Sequence, residues 1–151
     1  MSSDPTLLPS SGPVPATAES SSLHDVLSAA ADPSRLRILM LLRQFELAVG
    51  EVAHLLDQSQ PRVSRHIRIL EEAGLAERRR EGSWVFVRMG RGPAAAAIGI
   101  LLDGLTPTAE EARLFASDRS RLAAVQADRE AAAQRYFAQH AEGWDAIRSL
   151  H

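Results

Sequence analysis

Residues 59 to 68 read SQPRVSRHIR. Arg62, Arg65 and Arg68, with His66, sit here among three small or neutral hydrogen-bonding residues, Ser59, Gln60 and Ser64. Guanidinium is permanently charged, and its planar fork of N–H donors matches phosphate oxygens or the edge of a guanine. Serine and glutamine add neutral donors and acceptors of the kind that meet base edges. A second cluster follows, Arg78, Arg79 and Arg80, with Arg88 beyond it. Residues 60 to 91 hold eight arginines against four glutamates, a local charge of +4. The whole chain carries -2, so the rest carries -6. A basic island in an acidic chain is the pattern of a localised anion-binding face.

Other chemistry is poorly provided for. There is no cysteine, hence no disulfide, no thiolate metal site and no thiol nucleophile. His24, His54, His66, His140 and His151 fall on different elements, and no Ser/His/Asp arrangement, acid/base carboxylate pair or phosphate loop stands out. We therefore expect no catalytic residue, no cofactor and no enzyme. The longest apolar run, AAAAIGILL at 94 to 102, is about half a membrane span. The first residues, MSSDPTLLPS, lack the basic flank of a signal peptide. A cytoplasmic protein with no membrane partner is expected.

The elements that must position the arginines follow from patterning. Residues 1 to 20 are rich in Ser, Pro, Ala and Thr, the composition of a disordered tail. Leu23, Val26, Leu27 and Ala30 share one helical face. Asp32-Pro33 ends that helix and starts another, which is apolar on most sides through Leu36, Ile38, Leu39, Leu41 and Leu42. A short helix covers 50 to 56. The arginine-bearing stretch reads as a helix over 61 to 73, with Ser59 or Gln60 as N-cap and Gly74 as left-handed C-cap. Its apolar stripe is Val63, Ile67 and Leu70, with Arg65 and Arg68 opposite. Residues 76 to 81 and 83 to 89 read as a two-stranded hairpin turning at Glu81-Gly82-Ser83. Alternation puts Arg78 and Arg80 on one face of it and Arg79 on the other. Trp84 is expected beneath the hairpin. Helix, short turn, cationic helix and arginine-bearing hairpin make a helix-turn-helix with a wing. The expected class is mainly α (α+β). Winged helix-turn-helix is assigned to residues 21 to 92 and a long C-terminal helical dimerisation arm to 93 to 151.

The run ADPSRLRILMLL, then ELAVGEVAHLL, then QSQPRVSRHIRILEEAGLAERRREGSWVFVRM, resembles the ArsR/SmtB family of bacterial winged-helix regulators over residues 23 to 90. The wing carries Phe86 where the family more often has tyrosine. The resemblance implies a homodimeric repressor that binds operator DNA and lets go when an effector acts. It implies DNA contacts from Ser59, Gln60, Arg62, Ser64, Arg65 and Arg68, with His66 either on a phosphate or packed beside the preceding helix, and Arg79, Arg80 and Arg88 on flanking backbone. Two-fold symmetry would match an inverted-repeat double-stranded operator. Metal-sensing members carry two cysteines in the segment matching ELAVGEV, where this chain has Ala48 and Gly50. That site is absent here. His140, Glu142 and Asp145 are near in sequence, but their spacing does not put all three on one helical face, so no metal site is expected.

Leu114, Asp118, Leu122, Val125, Arg129, Ala132, Tyr136 and His140 recur at threes and fours, an expected interface with another helix. Leu114, Leu122, Val125, Tyr136 and Phe137 are its dimerisation candidates. Docking of the stripe on its own domain is the rival reading. For the effector three options stand: a small organic molecule in a pocket between the core and the C-terminal helices, a metal on an oxygen/nitrogen site, or none. Tyr136, Phe137 and Trp144 are candidates to line such a pocket, with burial in the dimer interface the favoured place for all three. The segment RLAAVQADREAAAQRYFAQHAEGWDAIRSLH resembles the connector joining such regulators to class I methyltransferase domains. The alternatives are thus the regulatory end of an S-adenosylmethionine-dependent methyltransferase fusion, or a winged-helix protein-interaction module.

Overall fold

The computed structural model describes residues 22–148, with side chains for all of these but 142 and 144–148. The tail assigned to residues 1 to 20 lies outside the described residues, as do the side chains of Glu142, Trp144 and Asp145. The chain runs α1 (Leu23–Ala30), α2 (Pro33–Leu42), β1 (Leu47–Ala48), α3 (Val49–Leu56), α4 (Gln60–Glu72), β2 (Ala76–Glu81), β3 (Trp84–Met89), α5 (Pro93–Gly104) and α6 (Ala109–Arg148). This is a winged helix-turn-helix, mainly helical, with one small antiparallel sheet.

Side-chain caps set the helix starts. The Ser22 hydroxyl accepts from the Asp25 N–H, and the Asp32 carboxylate from the Arg35 N–H at 3.0 Å. Thr108 and Glu111 cap α6 reciprocally: the Glu111 N–H donates to Thr108 Oγ1, and the Thr108 N–H to Glu111 Oε1. The turn between α3 and α4 passes through Asp57 at φ 53°, left-handed backbone that a short polar side chain tolerates.

The sheet has one strand more than the two-stranded wing expected. Its order is β1-β3-β2, with Leu47 opposite Val87 and Ala48 opposite Phe86. Two residues are too few to show a strand period, and only the distant pairing with β3 makes them one. β2 pairs with β3 in register Ala76↔Met89 to Glu81↔Trp84, and Gly82 at φ 60° makes the turn. The wing is anchored at its base by Gly90, whose N–H donates to the Leu75 carbonyl. A Cβ at Gly90 would run into the carbonyl oxygen of Gly74, so the base admits no side chain there.

The core joins all these elements. Ile38, Leu39, Leu47, Val52, Leu55, Val63, Ile67, Leu70 and Val87 are fully buried. Ile98 of α5 and Leu122 of α6 belong to the same cluster, so the boundary drawn at residue 93 does not divide the core. Of the four residues that share a helical face by spacing, Leu23 and Leu27 are exposed, while Val26 and Ala30 are buried together with Ala29.

The stripe on α6 is likewise corrected. Leu122 is sealed in its own domain's core and offers no surface to a partner helix, and the partly buried Val125 packs against the same core. On either side of them lie polar ties to the same domain. Arg37 of α2 grips Asp118 with two bonds of 2.9 Å, both groups largely buried. Arg121 donates to the Leu55 carbonyl, and Arg129 pairs with Glu51. The spacing that suggested a second helix serves α2 and α3 instead. Beyond this clamp Tyr136 and Phe137 are exposed.

Candidate nucleic-acid interface

α4 owes its orientation to two physical facts. Val63, Ile67 and Leu70 are excluded from water completely, which fixes the face turned to α2 and α3. Full burial of each such side chain is worth roughly 1.5–3 kcal/mol. Arg62, Arg65 and Arg68 are therefore held on the solvent face, with Gln60 and Ser59 at its leading end. Ser59 is the N-cap: its hydroxyl accepts from the Arg62 N–H at 3.4 Å. The helix thus leads with its positive dipole end and its cations together.

Among the described residues the side chains of Arg62, Arg65 and Arg68 make no hydrogen bond or ion pair, and neither does that of Arg80 on the wing. The other wing arginines are committed. Strand alternation, read with the register, puts Arg78 and Arg80 on the face of β2 shared with the buried Ala76. Arg78 reaches α4 there, bonding both oxygens of Glu71 at 2.6 and 3.2 Å and bracing wing to helix. Glu71 holds the Arg78 guanidinium above its ordinary pKa. Arg80 lies beside this pair, next to Glu71, Arg78 and Val85.

Arg79 and Arg88, expected on flanking backbone, lie on the other face of the hairpin and are neutralised. Arg79 bonds Glu46 at 2.9 and 2.5 Å and Glu81 at 2.7 Å, and its guanidinium carbon sits 4.9 Å from the centre of the Phe86 ring. Glu81 first, then Glu46, raises its pKa. Arg88 pairs with Glu77, directly across the ladder, and Glu77 also holds Arg91. Trp84 occupies this same outer face, 62 % exposed and stacked on Phe86, not buried beneath the hairpin. Parity explains both placements: the outer face carries residues 77, 79, 81, 84, 86 and 88.

His66 also points inward. Its side chain is 13 % exposed and wedged against the start of α2, with Nδ1 3.2 Å from an Arg35 guanidinium nitrogen and 4.0 Å from Asp32. Guanidinium can only donate, so Nδ1 accepts and the proton resides on Nε2, which is buried without a partner among the described residues. Burial lowers the His66 pKa; Asp32 opposes that, while Arg35, Arg62 and Arg65 add to it. The cluster Asp32–Arg35–His66 escaped sequence reasoning, because Asp32 and Arg35 read only as a helix start. Arg35 also donates to the Ala29 carbonyl at 2.6 Å, so one guanidinium ties α1, α2 and α4 together.

The arrangement defines a winged helix-turn-helix protein: a helix with unpaired cations beside a braced hairpin bearing one more. The family described as "Bacterial regulatory protein, arsR family" matches residues 32–78. The Pseudomonas putida arsenic resistance transcriptional regulator ArsR1 is 45 % identical over 65 residues, 42 % of this chain and 51 % of that protein. The Escherichia coli arsenical resistance operon repressor is 47 % identical over 60 residues, 39 % of this chain and 51 % of that one. The Vibrio cholerae transcriptional activator HlyU is 37 % identical over 76 residues, covering 50 % and 70 %. A solved structure of reduced HlyU aligns over 53 % of this chain and 84 % of that chain, with 35 % identity and a TM-score of 0.48. The chain belongs to the arsR family of bacterial regulatory proteins. It spans about half the length of the two arsenic-resistance relatives. Among the described residues no group of three or more His, Asp or Glu side chains is placed to hold a metal. No helix there is long and apolar enough to cross a membrane.

Proposed function

We propose that this chain is a DNA-binding transcriptional regulator that acts as a homodimer, represses from an inverted-repeat operator and is released by an effector other than a thiolate-bound metal. The observation that carries the reading is the contrast in charge pairing. Arg78, Arg79, Arg88 and Arg91 are each engaged by carboxylates, whereas Arg62, Arg65, Arg68 and Arg80 are left to solvent. Unpaired guanidinium groups at the end of a helix suit phosphate and base edges. Gln60 and Ser64 stand beside them for the bases. The relatives' names include both repressors and an activator, so the sense of regulation rests on the resemblance to the repressors.

The homodimer draws support from apolar surface that nothing among the described residues covers. Ile100 and Leu101 stand out from α5 and Leu105 just after it, Leu23 and Leu27 from α1, and Tyr136 and Phe137 from α6. Exposed apolar residues grouped on helices mark association surfaces. A second copy is the partner that two-fold operator symmetry calls for. The test is binding of the purified chain to the DNA upstream of its own gene across a salt series, with Arg65→Ala as control. Selective, saturable binding with two chains per site, lost in the variant, is expected. Equal affinity for random DNA would refute operator recognition.

A further inference from the structure

A cleft of about 400 Å³ opens between the start of α2 and the start of α6. Leu36, Leu114 and Phe115 supply its apolar wall, and Asp32, Glu110 and Glu111 stand around it. No arginine or histidine lines it. Leu114, a dimerisation candidate from sequence, belongs here. We propose that this cleft is an effector site for a small organic cation with an apolar body, and that its occupation weakens DNA binding. The second half rests on the regulatory reading above.

The volume is that of a small-molecule pocket, which typically runs from about 300 to 1,000 Å³. Its wall would strip water from an alkyl or aryl group. Leu114 is 39 % exposed although it lies beside the core, and it gains most from being covered. Charge selects the occupant. Asp32 is ionised: the Arg35 N–H it caps and the Arg35 and His66 side chains hold its carboxyl below the usual range, against the effect of burial. Thr108 does the same for Glu111 through its N–H and hydroxyl. Those caps use Asp32 Oδ2 and Glu111 Oε1. Glu110 has no partner at all among the described residues. An anion would meet three negative charges and no cation. A neutral ligand would press on carboxylates without pairing them, at a desolvation cost that a cation offsets.

The link to DNA runs through the first turn of α2. Asp32 borders the cleft and stands 4.0 Å from His66, while Arg35, capped by Asp32, bonds His66 Nδ1. His66 projects from the same helix as Arg62, Arg65 and Arg68. A ligand that draws Asp32 outward, or spreads the starts of α2 and α6, disturbs the seat of His66 and the tilt of α4. Differential binding of this kind is what couples two sites.

Benzyltriethylammonium is the probe, titrated by NMR into the full chain without DNA, with 3-phenylpropionate as anionic comparator. The result expected is saturable one-to-one binding with a dissociation constant of about 1 mM or tighter, the range for a ligand of that size. Glu110→Gln, on an exposed side chain that bears on no fold contact, should weaken it about threefold. Leu114→Trp, which fills the cleft, should abolish it while the melting transition persists. No saturation, equal binding of 3-phenylpropionate, or indifference to both variants would overturn the site. In a separate arm, saturating probe should weaken operator affinity at least about fivefold. Probe binding with unchanged operator affinity would overturn the coupling. Probe binding by a chain that never binds DNA would instead sink the regulatory reading and leave the site standing.

Discussion

Asp118→Ala removes one half of the ion pair that clamps α6 to α2. Both partners are taken from water: the Asp118 side chain is 4 % exposed and that of Arg37 15 %. The pair is bidentate, 2.9 Å on each arm, and raises the pKa of Arg37 through the Asp118 hydrogen bond. Deleting the carboxylate leaves a buried guanidinium uncompensated, a loss of about 3–5 kcal/mol. Domains of this size are stable by only about 5–15 kcal/mol in total. At about 2–4 °C per kcal/mol, the melting temperature should fall by roughly 10 °C. The assay is urea and thermal unfolding of wild type, Asp118→Ala, Arg37→Met and the double variant. Joint removal leaves no orphan charge, so the double variant should recover most of the loss, with a coupling energy of about 2 kcal/mol or more. A drop below about 1 kcal/mol in Asp118→Ala, or strict additivity, would refute the reasoning and undock α6 from the domain.

The remaining predictions concern the charges and one backbone contact. With the four unpaired arginines of α4 and the wing on each chain and two chains per site, log affinity for DNA should fall against log salt with a slope of about -7. Arg65→Ala or Arg80→Ala should each reduce that slope by nearly 2, while Arg79→Ala and Arg88→Ala leave it almost unchanged; an equal loss at Arg79 would contradict its pairing with Glu46 and Glu81. Burial disfavours the charged form of His66, so its contribution to stability is full above the unfolded value of 6.5 and is lost as pH falls through 6.5 towards the lower folded value. His66→Gln should flatten the fall in stability in that window, measured by unfolding at stepped pH. Gly90→Ala forces a methyl against the Gly74 carbonyl oxygen. The expected cost is about 1–3 kcal/mol, read from the urea midpoint, and an unshifted midpoint would mean the wing base yields.

The parts legible in the sequence were those that local pattern controls. α4 follows from Val63, Ile67 and Leu70 at helical spacing after a serine cap. The hairpin follows from alternation around Gly82. What could not be read was always a matter of partners distant along the chain. Arg79 finds Glu46, which lies 33 residues earlier, and no spacing rule announces that pair. A stripe on α6 states that one face wants cover but not whose surface covers it, and Arg37 lies 81 residues away from Asp118. His66 sits on the flank of α4 between its wet and dry sides, where the wheel is ambiguous and the Asp32–Arg35 contact decides. β1 exists only because β3 has a free edge.

At about 1.5 Å per residue, the 40 residues of α6 make a rod of about 60 Å. Among the described residues its last tie to the domain is Arg129 on Glu51, and the helix runs on from there for about 28 Å to Arg148. A rod fixed at one end is a mechanical amplifier. A tilt of about 5° at the clamp sweeps its tip through about 2.5 Å, and a push at the tip returns the same work as a small, forceful rotation at α2 and α3. Whatever grips the far end of α6 therefore holds a handle on the helix-turn-helix without touching it.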